Sequence, residues 1–173
     1  MGCFMIGINL APISPAYQGV SKDEYIKDMV NLVKALQHEE IVFITHDYHI
    51  GKSIGKLRDT SDLSPIDEVN QYFNYQLINH EEIRRCSLII TFRMHLAIRA
   101  VCVGIRTIYL GYYDKKWCIP QVSHFIHLDY RRDMVVGDIL AGLRILRANN
   151  IGWFELTSDR NIEAIKLALE GKI

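Results

Sequence analysis

Short, almost wholly apolar runs separated by helical patterns constrain this chain more than any other feature. Phe4–Ala11 (FMIGINLA), Ile41–Thr45 (IVFIT), Leu88–Thr91 (LIIT) and Thr107–Leu110 (TIYL) are apolar on consecutive rather than alternate residues, as strands buried on both faces are. Between the first two, Ser21-Lys22-Asp23-Glu24 has the form of a capping box, and Tyr25, Ile26, Met29, Val30, Val33 and Leu36 follow at helical spacing. Ser64-Pro65 reads as an N-cap followed by proline at the first helical position, opening a helix that runs to about Ile78. A helical turn at Glu81–Arg85 precedes the third run, and a helix from Met94 to Val103 is stopped by Gly104. Beyond Leu110 the pattern weakens, with a further strand at Phe125–Leu128 and helices near Met134–Arg147 and Asn161–Leu169. Strands alternating with helices predict βαβ units, hence a Rossmann-like α/β domain with a parallel sheet covered by helices on both faces. The 173 residues suit one domain spanning 1–173, without repeats, low-complexity tracts or a linker.

Lysine and arginine number 20, aspartate and glutamate 20. That balance gives no overall field to attract nucleic acid or an anionic membrane, so any attraction for an anion is local. One local excess exists: no acidic residue stands between Ile83 and Tyr113, where Arg84, Arg85, Arg93, Arg99 and Arg106 all fall. Arginines snorkelling from separate helix faces explain most of these five. The cysteines at positions 3, 86, 102 and 118 form no CxxC pair and read as buried free thiols of a reducing compartment. No segment is apolar over the ~20 residues that span a bilayer, and the start lacks a signal-peptide pattern, so a cytoplasmic protein is expected. Met-Gly-Cys hints at lipidation, but Ile6 stands where the myristoylation pattern has Ser or Thr. A strand pattern beginning as early as Phe4 suits a domain cut from a longer protein.

In a parallel sheet the loops after the strands gather along one edge, and ligands bind there. Three such loops carry polar residues: His46-Asp47, then Arg93 with His95, then Tyr112-Tyr113-Asp114-Lys115-Lys116. Arg93 and His95 fall at the first turn of a helix, where unpaired N–H groups and the positive dipole end favour an anion. Arginine grips a carboxylate or phosphate with two parallel hydrogen bonds, and histidine exchanges protons near neutral pH. The plain alternative is a solvated arginine beside an inert histidine. His46-Asp47 is either an imidazole with a nearby carboxylate or a polar strand end entering a turn. His46 and His49 without a third ligand do not make a metal site, and none is assigned. Ile50-Gly51-Lys52-Ser53 looks like the tail of a P-loop, but His46 stands where that motif has glycine, and no G-x-G-x-x-G follows the first strand.

The stretch SLIITFRMHLAIRAVCVGIRTIYLGYYDKK resembles the C-terminal domain of the polysaccharide pyruvyl transferase family, in which a strand ends in R-L-H, a helix follows, and the next strand ends in Y-D-x-K. Arg93, His95, Tyr113, Asp114 and Lys116 occupy the motif positions, and Met94 replaces the leucine at similar volume. The strong part covers some thirty residues, with weaker similarity around Ile6-Gly7-Ile8-Asn9, the helix after Ser21 and the strand before His46. The resemblance implies the C-terminal half of a GT-B-like, two-domain transferase whose N-terminal domain is missing. It also implies transfer of a pyruvyl group from phosphoenolpyruvate, with no other cofactor, to hydroxyls of a glycan or lipid-linked sugar in cell-surface polysaccharide synthesis. In that reading Arg93 and His95 are catalytic, and Arg93, Met94, His95, Tyr113, Lys116 and His46 bind substrate.

Two rivals share the architecture. A glycosyltransferase domain binding a sugar nucleotide would use the same arginine for a diphosphate and Asp129 or Asp133 for the ribose. A non-catalytic α/β module would bind an anion or a partner and turn nothing over. Trp117, Trp153 and Phe154 are core aromatics or interdomain contacts, and core is favoured.

Overall fold

The computed structural model describes residues 4–12, 20–46, 62–111, 124–129, 136–148 and 154–156, with backbone alone for 129 and 154–156. Seven strands form one sheet: β1 (Met5–Asn9), β2 (Glu40–Thr45), β3 (Gln76–Asn79), β4 (Leu88–Thr91), β5 (Arg106–Gly111), β6 (Phe125–Asp129) and β7 (Phe154–Leu156). Their order is β3-β2-β1-β4-β5-β6-β7, and every neighbouring pair is parallel. This is the Rossmann order with one strand added at the β6 edge. The order reverses beside β1, so β1 and β4 are neighbours although their connections depart in opposite directions.

The helices are α1 (Lys22–Ala35), α2 (Leu63–Asn70), α3 (Met94–Cys102) and α4 (Val136–Arg147), with a 3-10 helix at His80–Arg85. Alternation along each strand divides the apolar residues between two cores. Ile6, Ile8, Phe43, Ile90 and Ile108 face one way and pack with Tyr25 and Met29 of α1, Ile66 of α2 and Leu143 of α4. On the other face, Val42, Ile44 and Ile89 meet Ile83 of the 3-10 helix and Leu96 and Ala100 of α3. A neighbouring cluster there joins Tyr109 and Phe125 to Ala97 and Val101. α1 and α3 thus cover opposite faces of the sheet on either side of the point where the strand order reverses, the position at which parallel α/β sheets bind their ligands.

Several local expectations hold. Ser21 caps α1 with both halves of the capping box: its hydroxyl accepts the Glu24 N–H at 3.2 Å and the Glu24 carboxylate accepts the Ser21 N–H at 2.9 Å. Losing that cap in Ser21→Ala is expected to cost about 1 kcal/mol, read as a lower urea midpoint at unchanged slope. Gly104 ends the α3 segment with φ at +79°, the left-handed turn that only glycine adopts without strain.

Others are corrected. The second helix does not begin with Ser64 as N-cap and Pro65 at its first position. It starts at Leu63, with Asp62 in the cap position and its carbonyl accepting the Ile66 N–H at 3.3 Å. Proline is tolerated one turn in because the first four N–H groups of a helix need no intrahelical acceptor. Nor does this helix reach Ile78. The Asn70 amide bonds both the N–H and the carbonyl of Tyr75, at 2.7 and 2.9 Å, and Asn74 turns the chain at φ +59°. The residues beyond become β3, an edge strand of which Ile78 alone is buried. Leu88–Thr91 and Thr107–Leu110 are therefore strands four and five. Cys86 is buried as expected, but Cys102 is exposed on the last turn of α3. The helix expected at Asn161–Leu169 lies outside the described residues. Among the described residues, no helix is long and apolar enough to cross a membrane.

Candidate functional site

Asn9 ends β1, Thr91 ends β4, and the two are partners in the parallel ladder. Both side chains are buried at the point where the strand order reverses, so every polar atom there needs a partner within the protein. The Asn9 amide donates to the Ile44 carbonyl at 2.9 Å and to Asp62 Oδ2 at 2.8 Å, while its oxygen accepts the Thr91 hydroxyl at 2.8 Å. The same hydroxyl accepts the Arg93 N–H at 2.9 Å and fixes the first step out of β4.

Asp62 is the hub. It is fully buried, and its carboxylate accepts from four donors. Oδ1 takes Arg93 Nε at 2.8 Å and Nη2 at 2.7 Å, and Oδ2 takes the Asn9 amide and the His46 backbone N–H at 3.1 Å. This satisfies a carboxylate that burial would otherwise make costly. It also holds the Arg93 guanidinium by one edge, with the side chain 19% exposed. Arg93 stands in the cap position of α3 in extended conformation and makes no side-chain bond to the helix's own N–H groups.

His95 lies on the first turn of α3 and is exposed. His46 follows β2, and its ring centre lies 6.4 Å from that of His95. A third imidazole joins them: His80, the first residue of the 3-10 helix after β3, meets the His46 ring edge-on at 5.0 Å. The ends of β2, β3 and β4 thus bring three imidazoles and a guanidinium to one edge. Among the described residues, no three His, Cys, Asp or Glu side chains are arranged to hold a metal ion.

Of the residues expected at the site, Arg93, His95 and His46 come together. Met94 is partly buried and packs against the cluster around Tyr109. Tyr113, Asp114, Lys115 and Lys116 lie outside the described residues, as do Asp47, His49, Asp133, Trp117 and Trp153; Asp129 and Phe154 are described in backbone only. Sequence reasoning missed Asn9, Asp62, Thr91 and His80. Asn9 and Thr91 do carry a signal, since each is a polar residue closing an otherwise apolar strand. Asp62 and His80 carry none, because a single acid in a polar loop and a histidine beside two glutamates look solvated.

The arginine-rich span does not make one patch. Arg106 opens β5 at the opposite edge of the sheet, Arg99 sits in the last turn of α3, and Arg85 pairs with Glu82 at 2.9 Å. Cys86 offers no nucleophile, because burial pushes its thiol up to about 11. At the end of β5, a Cβ on Gly111 would stand 2.2 Å from the ring of His127, which itself stacks on Tyr109 with ring centres 5.2 Å apart. The sequence matches no protein-family model and no curated protein.

Proposed function

We propose that this chain is the donor-binding domain of a pyruvyl transferase that moves a pyruvyl group from phosphoenolpyruvate onto two hydroxyls of a sugar, forming a ketal and releasing phosphate. The observation that carries the reading is the pairing of Arg93, clamped by a buried carboxylate, with His95 on the first turn of α3, beside the strand-order reversal. A small molecule bearing a carboxylate and a phosphate suits that pairing. Arg93 binds one acidic group, and the α3 N–H groups and dipole share the charge. In the reaction the donor's methylene gains a proton, the two sugar hydroxyls bond to the adjacent carbon, and the phosphate leaves from it, taking up the second proton. His95 is the group suited to carry one of those protons. His46 lies at the same sheet edge, its ring 6.4 Å from that of His95, and Tyr113 and Lys116 complete the resemblance on which the reading also draws. The acceptor is a glycan or lipid-linked sugar, presented by a second, N-terminal domain in a GT-B-like arrangement.

Titration of the 173-residue chain with phosphoenolpyruvate tests this. Both Arg93→Ala and His95→Gln are expected to weaken binding about tenfold or more, a loss of roughly 1.4 kcal/mol. His95 is exposed, so its variant reports on binding without disturbing the core. Equal affinity in wild type and both variants rejects the reading, and competition by a uridine nucleotide in place of phosphoenolpyruvate transfers the site to a sugar-nucleotide enzyme.

A further inference from the structure

The charges at the sheet edge do not sum as the sequence suggests. Arg93 is neutralised by Asp62, whose carboxylate oxygen holds two of its nitrogens at 2.8 and 2.7 Å in a site closed to solvent on the acid's side. A buried ion pair presents little net charge, so it orients an anion better than it attracts one. The dipole of a nine-residue helix adds about half a charge. A ligand carrying two or more negative charges therefore needs further positive charge, and the groups placed to supply it are the imidazoles of His46, His80 and His95, with ring centres 5.0 and 6.4 Å apart around His46.

We propose that these three histidines form a proton-linked oxyanion site, in which binding of a phosphate-type dianion draws protons onto the imidazoles, and that His80 is a working member of it. The inference deepens the site described above and rests on that reading only in taking the donor's phosphate as the natural anion. Histidine is the side chain whose charge changes between pH 5 and 8. Imidazolium charges this close repel one another, and an anion seated among them offsets that repulsion. Within the cluster, the Nδ1 of His80 is shielded from solvent and makes no hydrogen bond among the described residues, so this ring has a polar atom still lacking a partner.

Among the described residues, the charged groups around the cluster oppose neither step. Asp62 reaches His46 through its backbone N–H and is already paired with Arg93. Within the 3-10 helix, Glu81 is exposed, and Glu82 is turned to the Asn79 N–H and the Arg85 side chain, which hold its carboxyl below the usual range. The basic residues of α3 are His95, on its first turn, and Arg99, in its last turn. The acid of β2, Glu40, opens that strand and so lies at the far end from His46. β3 carries no ionisable residue.

The probe is sulfate, which keeps both charges across the range, so that any pH dependence belongs to the protein. Calorimetric titration of the 173-residue chain between pH 8 and 6 is expected to show affinity rising about tenfold as pH falls, with net proton uptake on binding. His80→Gln keeps a polar side chain but cannot charge, and is expected to lose about half of that rise on a logarithmic scale. If His80→Gln fails to fold, His95→Gln at its exposed position provides the same comparison. Affinity that is flat with pH, or equally pH-dependent in wild type and the folded variant, overturns the proposal and leaves the phosphoenolpyruvate titration to judge the donor assignment. Proton-linked sulfate binding by a chain indifferent to phosphoenolpyruvate keeps the oxyanion site and removes the donor assignment.

Discussion

Replacing Asp62 with alanine is expected to lower the stability of the fold by about 3–5 kcal/mol, the usual consequence of removing one partner from a buried ion pair. The loss is large because one carboxylate serves four donors drawn from three separate parts of the chain. Arg93 is partly exposed and can turn toward water once released. Asn9 cannot, since it is completely buried between two central strands, so its amide keeps a hydrogen without an acceptor. Asp62→Asn retains the shape and one acceptor oxygen and is expected to lose less, about 1–3 kcal/mol. A domain of this kind holds only about 5–15 kcal/mol in total, so urea melts separate the two variants clearly. If the alanine variant lost under about 1 kcal/mol, the carboxylate would have to be solvated rather than enclosed.

Phe92→Ala is expected to cost about 3–5 kcal/mol, the range for emptying a buried phenyl site. Phe92 is 1% exposed and meets the ring of Tyr25 edge-on, with centres 5.3 Å apart. Tyr25 is itself fixed, donating its hydroxyl to the Ala11 carbonyl at 3.1 Å. The contact thus ties α1 and the exit of β1 to the residue immediately before Arg93. Its removal leaves a cavity under the site as well as a weaker core. Phe92→Leu refills most of that volume and is expected to recover more than half of the loss. Stability equal to wild type in Phe92→Ala would mean that α1 does not rest on the β4 exit.

The sheet and most of its covering were legible because the signals were local and repeated. Phe4–Ala11 and Leu88–Thr91 need burial on both faces, and the capping box at Ser21 marks the start of α1 on its own. β3 escaped notice because an edge strand with one buried residue has neither apolar density nor alternation, and because the Asn70 amide ends α2 by side-chain bonding that no periodicity reveals. The candidate site was legible in its visible half. Arg93 and His95 interrupt an apolar pattern, whereas Asp62 owes its importance to residues 31 and 53 positions away. A polar residue in a polar stretch looks alike whether it ends in water or under a sheet.

The bonds around Asn9 and Asp62 join positions separated by 31, 35, 53 and 82 residues. None can form within a nascent helix or hairpin, and together they require β1, β2 and β4 to have found one another, so the ring closes only near the end of folding. A chain stalled with intact helices but with β4 undocked would retain much of its dichroism and lack the assembled site altogether. Ligand capture by this domain therefore counts correctly assembled molecules, which a measure of helix content does not.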